Sequence, residues 1–353
     1  MNKKFLIASM AVLSASVFTS TGLAKGMAQD EKRTVTIYSN TYYDDARTAR
    51  LVELAEAEGF YLEMVTAPGG DTYNRLLAEA NDPQADVIIG MDEANWLNVQ
   101  EQVDLHAFEP VWAENVPEEI IIGKGEFYPF AEAYIFGMYN PEFINQEDAV
   151  KTLEALGQEE ALKNKYRIPS DLAGSTNQKI ILSMLMQYRD DEGELGISEE
   201  GWQKVATYIN NGYQAREGED QWVLFQEGTT PYNYYHISGT ALALEEYDGL
   251  ALEPIVPTYG IFSMTEQIGI LDKGEEYDYS AAEDFVNWYG SDEVQKVFAE
   301  EFGFLPVTEG GQEVLSEPLK ALLDKMVRMD VDWDFYRQNV DSWVEKLELE
   351  YMP

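Results

Sequence analysis

Apolar and polar positions alternate in two rhythms along the first hundred residues. Residues 34–38, Thr-Val-Thr-Ile-Tyr, carry the period of a strand and stop at Ser39-Asn40. Residues 44–58 follow with Ala46, Ala49, Leu51, Val52, Leu54 and Ala55 on the apolar side of a helix that Gly59 ends. Residues 61–66 predict a second strand. Pro68-Gly69-Gly70-Asp71 then turns the chain into a helix over residues 72–80, and residues 86–90 (Asp-Val-Ile-Ile-Gly) and 92–102 predict a third strand and helix. This alternation is that of an α/β fold whose mostly parallel sheet is crossed by helices.

Residues 127–141, Phe-Tyr-Pro-Phe-Ala-Glu-Ala-Tyr-Ile-Phe-Gly-Met-Tyr-Asn-Pro, form a near-continuous apolar and aromatic run that Asn140-Pro141 closes with a turn. It is too short to cross a membrane and predicts a strand buried on both faces, carrying the chain from one lobe into another. Beyond it the rhythm loosens. A mixed helical stretch covers residues 147–165. The loop 168–178 leads into a helix through Ile180, Ile181, Met184, Leu185 and Tyr188, and an acidic turn at 190–198 precedes a helix over 199–210. Residues 222–228 and 229–239 follow, the latter with Tyr232, Tyr234, Tyr235 and His236. Residues 261–271 predict a strand returning to the first lobe, and the remainder reads as helical, with helices over 281–289 and 292–301 and an amphipathic C-terminal region. No internal repeat or low-complexity linker is evident.

In open sheets of this kind ligands sit beyond the carboxyl ends of the strands. That places Ser39, Asn40, Thr41, Tyr42 and Tyr43 on one loop beside a site, Gly69, Gly70 and Asp71 on a second, and Met91, Asp92 and Glu93 on a third. Asp44, Asp71 and Asp92 equally occupy positions where helix N-caps belong.

Composition narrows the classes. At 353 residues the chain suits two lobes, and 45% hydrophobic with 12% aromatic residues is enough for two cores. Cysteine is absent, which excludes disulfides, thiolate metal sites, a cysteine nucleophile and a lipoprotein anchor. The start reads as a secretory signal over residues 1–28: Lys3 and Lys4, an apolar run over 5–18, and small-residue cleavage sites ending at Ala24 or Ala28. The mature protein is therefore expected to be exported and soluble, in a periplasm or secreted. Sixty-five acidic against 24 basic residues give a net charge of −41, which makes nucleic acid a poor partner. The charge fits a solvating surface adapted to salt or an attraction for cationic ligands.

Signatures of enzymatic chemistry are sparse. There is no Gly-x-Ser-x-Gly elbow, phosphate loop, dinucleotide fingerprint or His-Glu-x-x-His, and His106 and His236 are the two histidines. A secreted acidic hydrolase rests on the abundance of carboxylates alone. Asp330-Val-Asp332-Trp-Asp334 resembles the start of a calcium loop, but Phe335 stands where glycine is required, and the run equally opens an acidic helix. Gly174-Ser175-Thr176-Asn177 joins two hydroxyls to the free N–H groups of a helix start, which is either an anion site or an ordinary cap. Tyr232, Tyr234, Tyr235 and His236 fit a hard trivalent metal, an organic solute held by stacking, or a strand with alternating rings.

Four stretches together, residues 34–39, 81–90, 133–141 and 282–288 with 291–295, stand in an order and spacing that resembles the bacterial extracellular solute-binding proteins of ABC importers. The likeness is to the branch that includes ferric-ion, thiamine, phosphonate and sugar-phosphate binders. It implies a two-lobed type II periplasmic-binding fold with two mostly parallel sheets and two hinge crossovers. Lobe I would comprise 33–130 plus 265–353, lobe II 141–258, with hinges near 131–140 and 259–270. It also implies closure on a small solute and delivery, as a monomer without a cofactor or catalysis, to a membrane permease and its ATPase, or to a receptor instead. Ser175-Thr176 resembles the pair that thiamine and phosphate-ester binders place before a helix. Ferric binders carry adjacent tyrosines about ten residues after a glycine matching Gly228, where this chain has Ser238-Gly239; the alternative ferric ligands would be Tyr234, Tyr235 and His236. The expected solute carries a phosphate or phosphonate group, or is thiamine-like. Ser39, Ser175, Thr176 and Ser238 would hold its anion, Tyr42, Trp96 or Tyr235 would cover the rest, and Asn40, Gly70, Asp92 and Asn177 would complete the site.

Overall fold

The computed structural model describes residues 33–42 and 45–352; the expected signal segment, Tyr43 and Asp44 lie outside the described residues. The opening alternation holds: β1 (Arg33–Ser39), α1 (Asp45–Ala57), β2 (Phe60–Thr66), α2 (Gly69–Ala78), β3 (Val87–Gly90) and α3 (Glu93–Gln100) follow in turn. Helix α2 starts earlier than its pattern predicts, with Pro68 at the N-cap, so Asp71 lies in the first turn and does not cap it. Asp92 does cap α3, accepting the N–H of Asn95 at 3.2 Å.

After β4 (Leu105–His106) comes β5 (Phe127–Tyr139), buried at every position but Ala133. The expected helical stretch over 147–165 contributes α4 (Leu153–Gln158) and a 3-10 turn. Then come α5 (Ser175–Leu185), β6 (Arg189–Glu194) within the acidic turn, α6 (Glu199–Asn211), α7 (Gln221–Gln226), β7 (Tyr232–His236), α8 (Ile237–Glu246) and β8 (Glu253–Pro254). The return strand is β9 (Phe262–Leu271), followed by α9 (Ser280–Tyr289), α10 (Asp292–Phe302), β10 (Leu305–Pro306), α11 (Glu309–Gln312), α12 (Glu317–Leu323) and α13 (Trp333–Glu350).

The two-lobed α/β class stands, but the strands do not separate into two mostly parallel sheets. Nine strands form one hydrogen-bonded sheet in the order β10-β5-β9-β3-β1-β2, with β4 on β9 and β7 and β8 on β5. Between named strands of the described residues, the parallel pairs are β1 with β2 and β1 with β3, and isolated parallel bridges join Tyr166 to Tyr232, Arg167 to Tyr213 and Ile261 to Arg328. The cause is the length of β5. Its first part pairs antiparallel with β9, from Phe127 opposite Gly269 to Ile135 opposite Phe262, and its last five residues pair with β7. One strand thereby carries the ladder from one lobe into the other. The register slips between Pro129 and Ala131, beside a proline that has no N–H for a ladder.

Four hydrophobic clusters fill the layers. One joins β1, β2, β3, α9 and α10 through Val35, Ile37, Phe60, Phe285 and Phe298, and another lies under α3 around Trp96 and Phe127. A third surrounds Ile180, Leu182, Trp202 and Tyr234, and a fourth surrounds Phe136, Phe225 and Ile237. The C-terminal residues pack into more than one of these clusters. Tyr336, Trp343 and Leu347 of α13 pack with Ile180 and Trp202, while Leu315, Leu319 and Leu322 pack with Ile237 and Ala243. Residues 327–329 run beside the start of β9, with Ile261 N–H donating to Val327 at 2.6 Å and Met329 N–H to Ile261 at 2.9 Å. Among the described residues no helix is long and apolar enough to cross a membrane.

Candidate functional site

The ends of β1 and β3 build one wall of a cleft. Gly90 and Met91 both take left-handed backbone, φ 101° and 58°, and this pair of turns swings the chain from β3 into α3. Asn40 Oδ1 accepts the Met91 N–H at 2.7 Å, so the loop after β1 is tied to the loop after β3. Thr41 donates its hydroxyl to Glu266 Oε2 at 2.6 Å, which ties both to the middle of β9.

Helix α5 builds the opposite wall. Its N-cap is Gly174, with no side chain closing the first turn, so the leading N–H groups stay open to a ligand. Ser175 Oγ lies 3.6 Å from the sulfur of Met264. Gln178 is braced by Leu172 O at 2.7 Å. Across the gap, Lys179 Nζ meets Asp92 Oδ2 at 3.0 Å, with side-chain exposures of 5% and 14%. Asn40, Met91, Asp92, Asn95, Ala173, Ser175, Gln178, Lys179, Met264 and Glu266 enclose about 380 Å³. A larger concavity of about 660 Å³, from Tyr139 to Lys325, shares no residue with this cleft.

The charges of the cleft are unevenly met. Burial works to raise the Asp92 carboxyl, but Lys179 and the Asn95 N–H groups outweigh it and hold it below its ordinary value. Burial likewise works against the Lys179 ammonium, and Asp92 more than reverses this, so the lysine stays charged. Glu266 is raised by burial, with the Thr41 hydroxyl and the more distant Arg47 opposing. Behind the wall, Glu93 accepts from Thr265 N–H at 2.7 Å and Oγ1 at 2.6 Å, while its Oε2 has no partner. Burial pushes this carboxyl up to about 8.

Of the residues singled out from sequence, Asn40, Asp92 and Ser175 line this cleft. Thr176 is half-buried on the first turn of α5 beside them. Asn177 turns back, bonding Asp171 O at 3.1 Å and accepting the Tyr234 hydroxyl at 2.9 Å. Gly70 is exposed on α2, while Gly69 is the glycine that abuts Asn40. Ser39, Tyr42, Trp96 and Ser238 do not line the cleft. Ser39 is fully buried and its Oγ accepts the Thr41 N–H at 3.1 Å. Tyr42 points into the core, where its hydroxyl meets that of Tyr289 at 2.7 Å. Trp96 lies under the loop with Nε1 on Gly90 O at 2.6 Å and its ring on Phe127. Ser238 borders a separate cavity of about 370 Å³ with Arg47 and residues of 299–319, so the four-hydroxyl anion set is not assembled.

Tyr235 is half-buried, edge-on to Trp222 and stacked on His236. His236 caps α8, its Nδ1 accepting the Gly239 N–H at 3.0 Å, and burial lowers its pKa. Tyr234 is buried with its phenol pushed upward by burial. Among the described residues no group of three histidine or carboxylate side chains is placed to hold a metal ion. Sequence reasoning missed Lys179 and Glu266. Lys179 follows the polar run 175–178 directly before Ile180-Ile181-Leu182, and Glu266 stands between Thr265 and Gln267 in the return strand, so the available signal was a charge at the edge of an apolar run and a charge within a buried strand.

Comparison with known proteins agrees with this architecture. Residues 49–322 match the family model described as bacterial extracellular solute-binding protein. A probable ABC transporter periplasmic-binding protein, y4fP, of Sinorhizobium fredii is 28% identical over 317 residues, covering 90% of this chain and 86% of the relative. Among solved structures, iron-bound HitA from Pseudomonas aeruginosa superposes with a TM-score of 0.66 at 15% identity, covering 90% of this chain and 99% of that one. Trichodesmium IdiA (FutA) with iron and citrate gives 0.65 at 16%, covering 89% and 98%. An ABC transporter protein from Clostridium perfringens gives 0.66 at 16%, covering 90% and 100%. At these identities the structural likeness speaks for the fold. The chain belongs to the bacterial extracellular solute-binding proteins.

Proposed function

We propose that this solute-binding protein captures a small zwitterionic solute in the cleft between α3 and α5 and delivers it, unaltered, to the permease and ATPase of an ABC importer. The relative from Sinorhizobium fredii, named as a probable ABC transporter periplasmic-binding protein, supports the assignment to import. Export to the periplasm, a monomeric state and hinge motion at β5 and β9 belong to the same reading. So does a division into lobes of residues 33–130 with 265–304 against 141–258 with 305–352.

The solute class follows from the opposition of the two walls. On one side the open amides of α5, with Ser175 and Thr176, supply donors and the positive end of a helix dipole. On the other, Glu266 offers a carboxylate that accepts the Thr41 hydroxyl. A molecule with a phosphate or phosphonate at one end and a positively charged organic body satisfies both; thiamine monophosphate and aminoalkylphosphonates are of this kind. Native mass spectrometry of the protein as purified tests the reading. A co-purifying phosphorus-bearing cation, or a rise in melting temperature and compaction in solution scattering when one is added, supports it. A screen of such compounds that moves neither quantity removes it.

A second reading is ferric ion, favoured by the iron-bound structural neighbours and by Tyr234, Tyr235 and His236 standing together on β7. It requires a tyrosinate, whereas Tyr234 is buried and donates to Asn177. Adding ferric citrate should leave the protein colourless. A visible charge-transfer band lost in Tyr234→Phe or Tyr235→Phe would establish iron instead.

A further inference from the structure

We infer that Lys179 is the residue that meets the negative charge of the solute, and that Asp92 is the positioning residue that aims it. This rests on the reading above, in which the solute's anionic end lies at the start of α5. Ser175, Gln178 and Lys179 stand at i, i+3 and i+4 of that helix, so one face presents all three to the same cavity. Lys179 is the one cation among the residues lining it.

An ammonium has three N–H donors, and a buried one needs acceptors for them. Only one donor of Lys179 is used among the described residues, toward Asp92 at 3.0 Å, although the side chain is 5% exposed. The other two are left for a ligand. Asp92 is not free to follow the lysine elsewhere, because its Oδ1 accepts both the Asn95 N–H at 3.2 Å and the Asn95 side-chain amide at 2.7 Å as the cap of α3. The lysine head is therefore held one helical turn from Ser175 by a carboxylate that the opposite wall keeps in place. Burial raises the neighbouring Glu93 carboxyl, which weakens its competition for the charge. A phosphoryl or phosphonate group on the first amides of α5 would bond Lys179 as well, and through the Lys179–Asp92 pair would join the two walls.

The test compares wild type, Lys179→Gln, Lys179→Arg and the double variant Asp92→Asn/Lys179→Gln by calorimetry. The probes are 2-aminoethylphosphonate, thiamine monophosphate and thiamine, the last lacking the phosphoryl group. Lys179→Gln should bind the phosphorus-bearing probes about 10- to 100-fold more weakly, with Lys179→Arg between it and wild type. The double variant leaves no unpaired buried charge, so an equal loss with a melting temperature near wild type shows that the effect is not misfolding. Unchanged affinity of either glutamine variant for a phosphorus-bearing probe that wild type binds overturns the role of Lys179 alone. An equal loss for thiamine and its monophosphate also overturns it, since the lysine would then not be reading the anion. Wild type binding none of the phosphorus-bearing probes overturns the solute class, and this inference with it.

Discussion

Arg337 on α13 donates to Asn98 Oδ1 on α3 at 2.9 Å, so the last helix is fastened to the helix that builds one wall of the cleft. The same helix buries Trp343 and Leu347 among the residues around Ile180. The guanidinium is 12% exposed on its side chain and also reaches Glu101 and Asp334. Arg337→Ala removes the direct bond to Asn98 and should cost about 1–2 kcal/mol of stability. Urea denaturation measures it, and an unchanged midpoint would mean that the Arg337–Asn98 bond adds nothing to stability.

Gly90 is a second point where geometry leaves little room. Its φ is 101°, and a Cβ there would collide with Asn40 Oδ1 and Thr41 Oγ1, both on the loop that holds one wall of the cleft. Gly90→Ala should lose about 3 kcal/mol from backbone strain and displacement of Asn40. It should also weaken solute binding, because Asn40 and Met91 move with it. Thermal melts and calorimetry on the same preparation read both effects.

Glu93 makes stability depend on pH in a defined direction. Its carboxyl is pushed up to about 8 by burial, from an ordinary value of 4.5. Between these values the folded protein holds a proton that the unfolded chain releases, so folding is favoured at the low end and loses a few kcal/mol as pH rises through 8. Glu93→Gln keeps an acceptor for Thr265 without the titration. The stability of wild type relative to this variant should therefore fall from pH 5 to pH 8, and a difference that stays flat would place the proton elsewhere.

The elements from β1 to α3 are legible because their strand and helix periods are clean and Gly59, Pro68 and Gly90 mark the breaks. Strand β5 is legible because a strand covered on both faces has no polar side to show. Periodicity does not say which way a side chain leaves the end of a strand. Tyr42 and Trp96, placed at the right ends, turn into the core and are no part of the cleft wall. Nor does it say what faces a residue from a distant element. Lys179 acquires meaning only when Asp92, 87 positions away in sequence, is brought to it. The packing of α13 is equally non-local, since an amphipathic helix declares an apolar face and not the lobe that covers it.

Ser175 and Thr176 carry the only hydroxyls at the open turn of α5. Ser175→Ala with Thr176→Ala should weaken a phosphorus-bearing solute by about 2–3 kcal/mol, the scale of hydrogen bonds to charged groups. Stability should hardly change, because Gly174 and not a hydroxyl is the cap. Calorimetry showing full affinity would mean that the anion does not rest on this turn.

Salt acts on the acidic surface through two opposing effects. Salt screens the exposed ion pairs, such as Arg50 with Glu301 at 2.8 Å, which lowers stability. Salt also screens repulsion among carboxylates. With 65 acids and 24 bases, pairing every base still leaves a net charge of −41, so repulsion is the larger of the two. Melting temperature should therefore rise by several degrees from about 0.05 M to about 1 M NaCl, while the screening length shrinks toward about 3 Å. The rise should then level off, since screening saturates at that length, whereas stabilisation by ion exclusion would continue to climb in proportion to concentration. A melting temperature that falls with salt would show that the ion pairs outweigh the unpaired carboxylates.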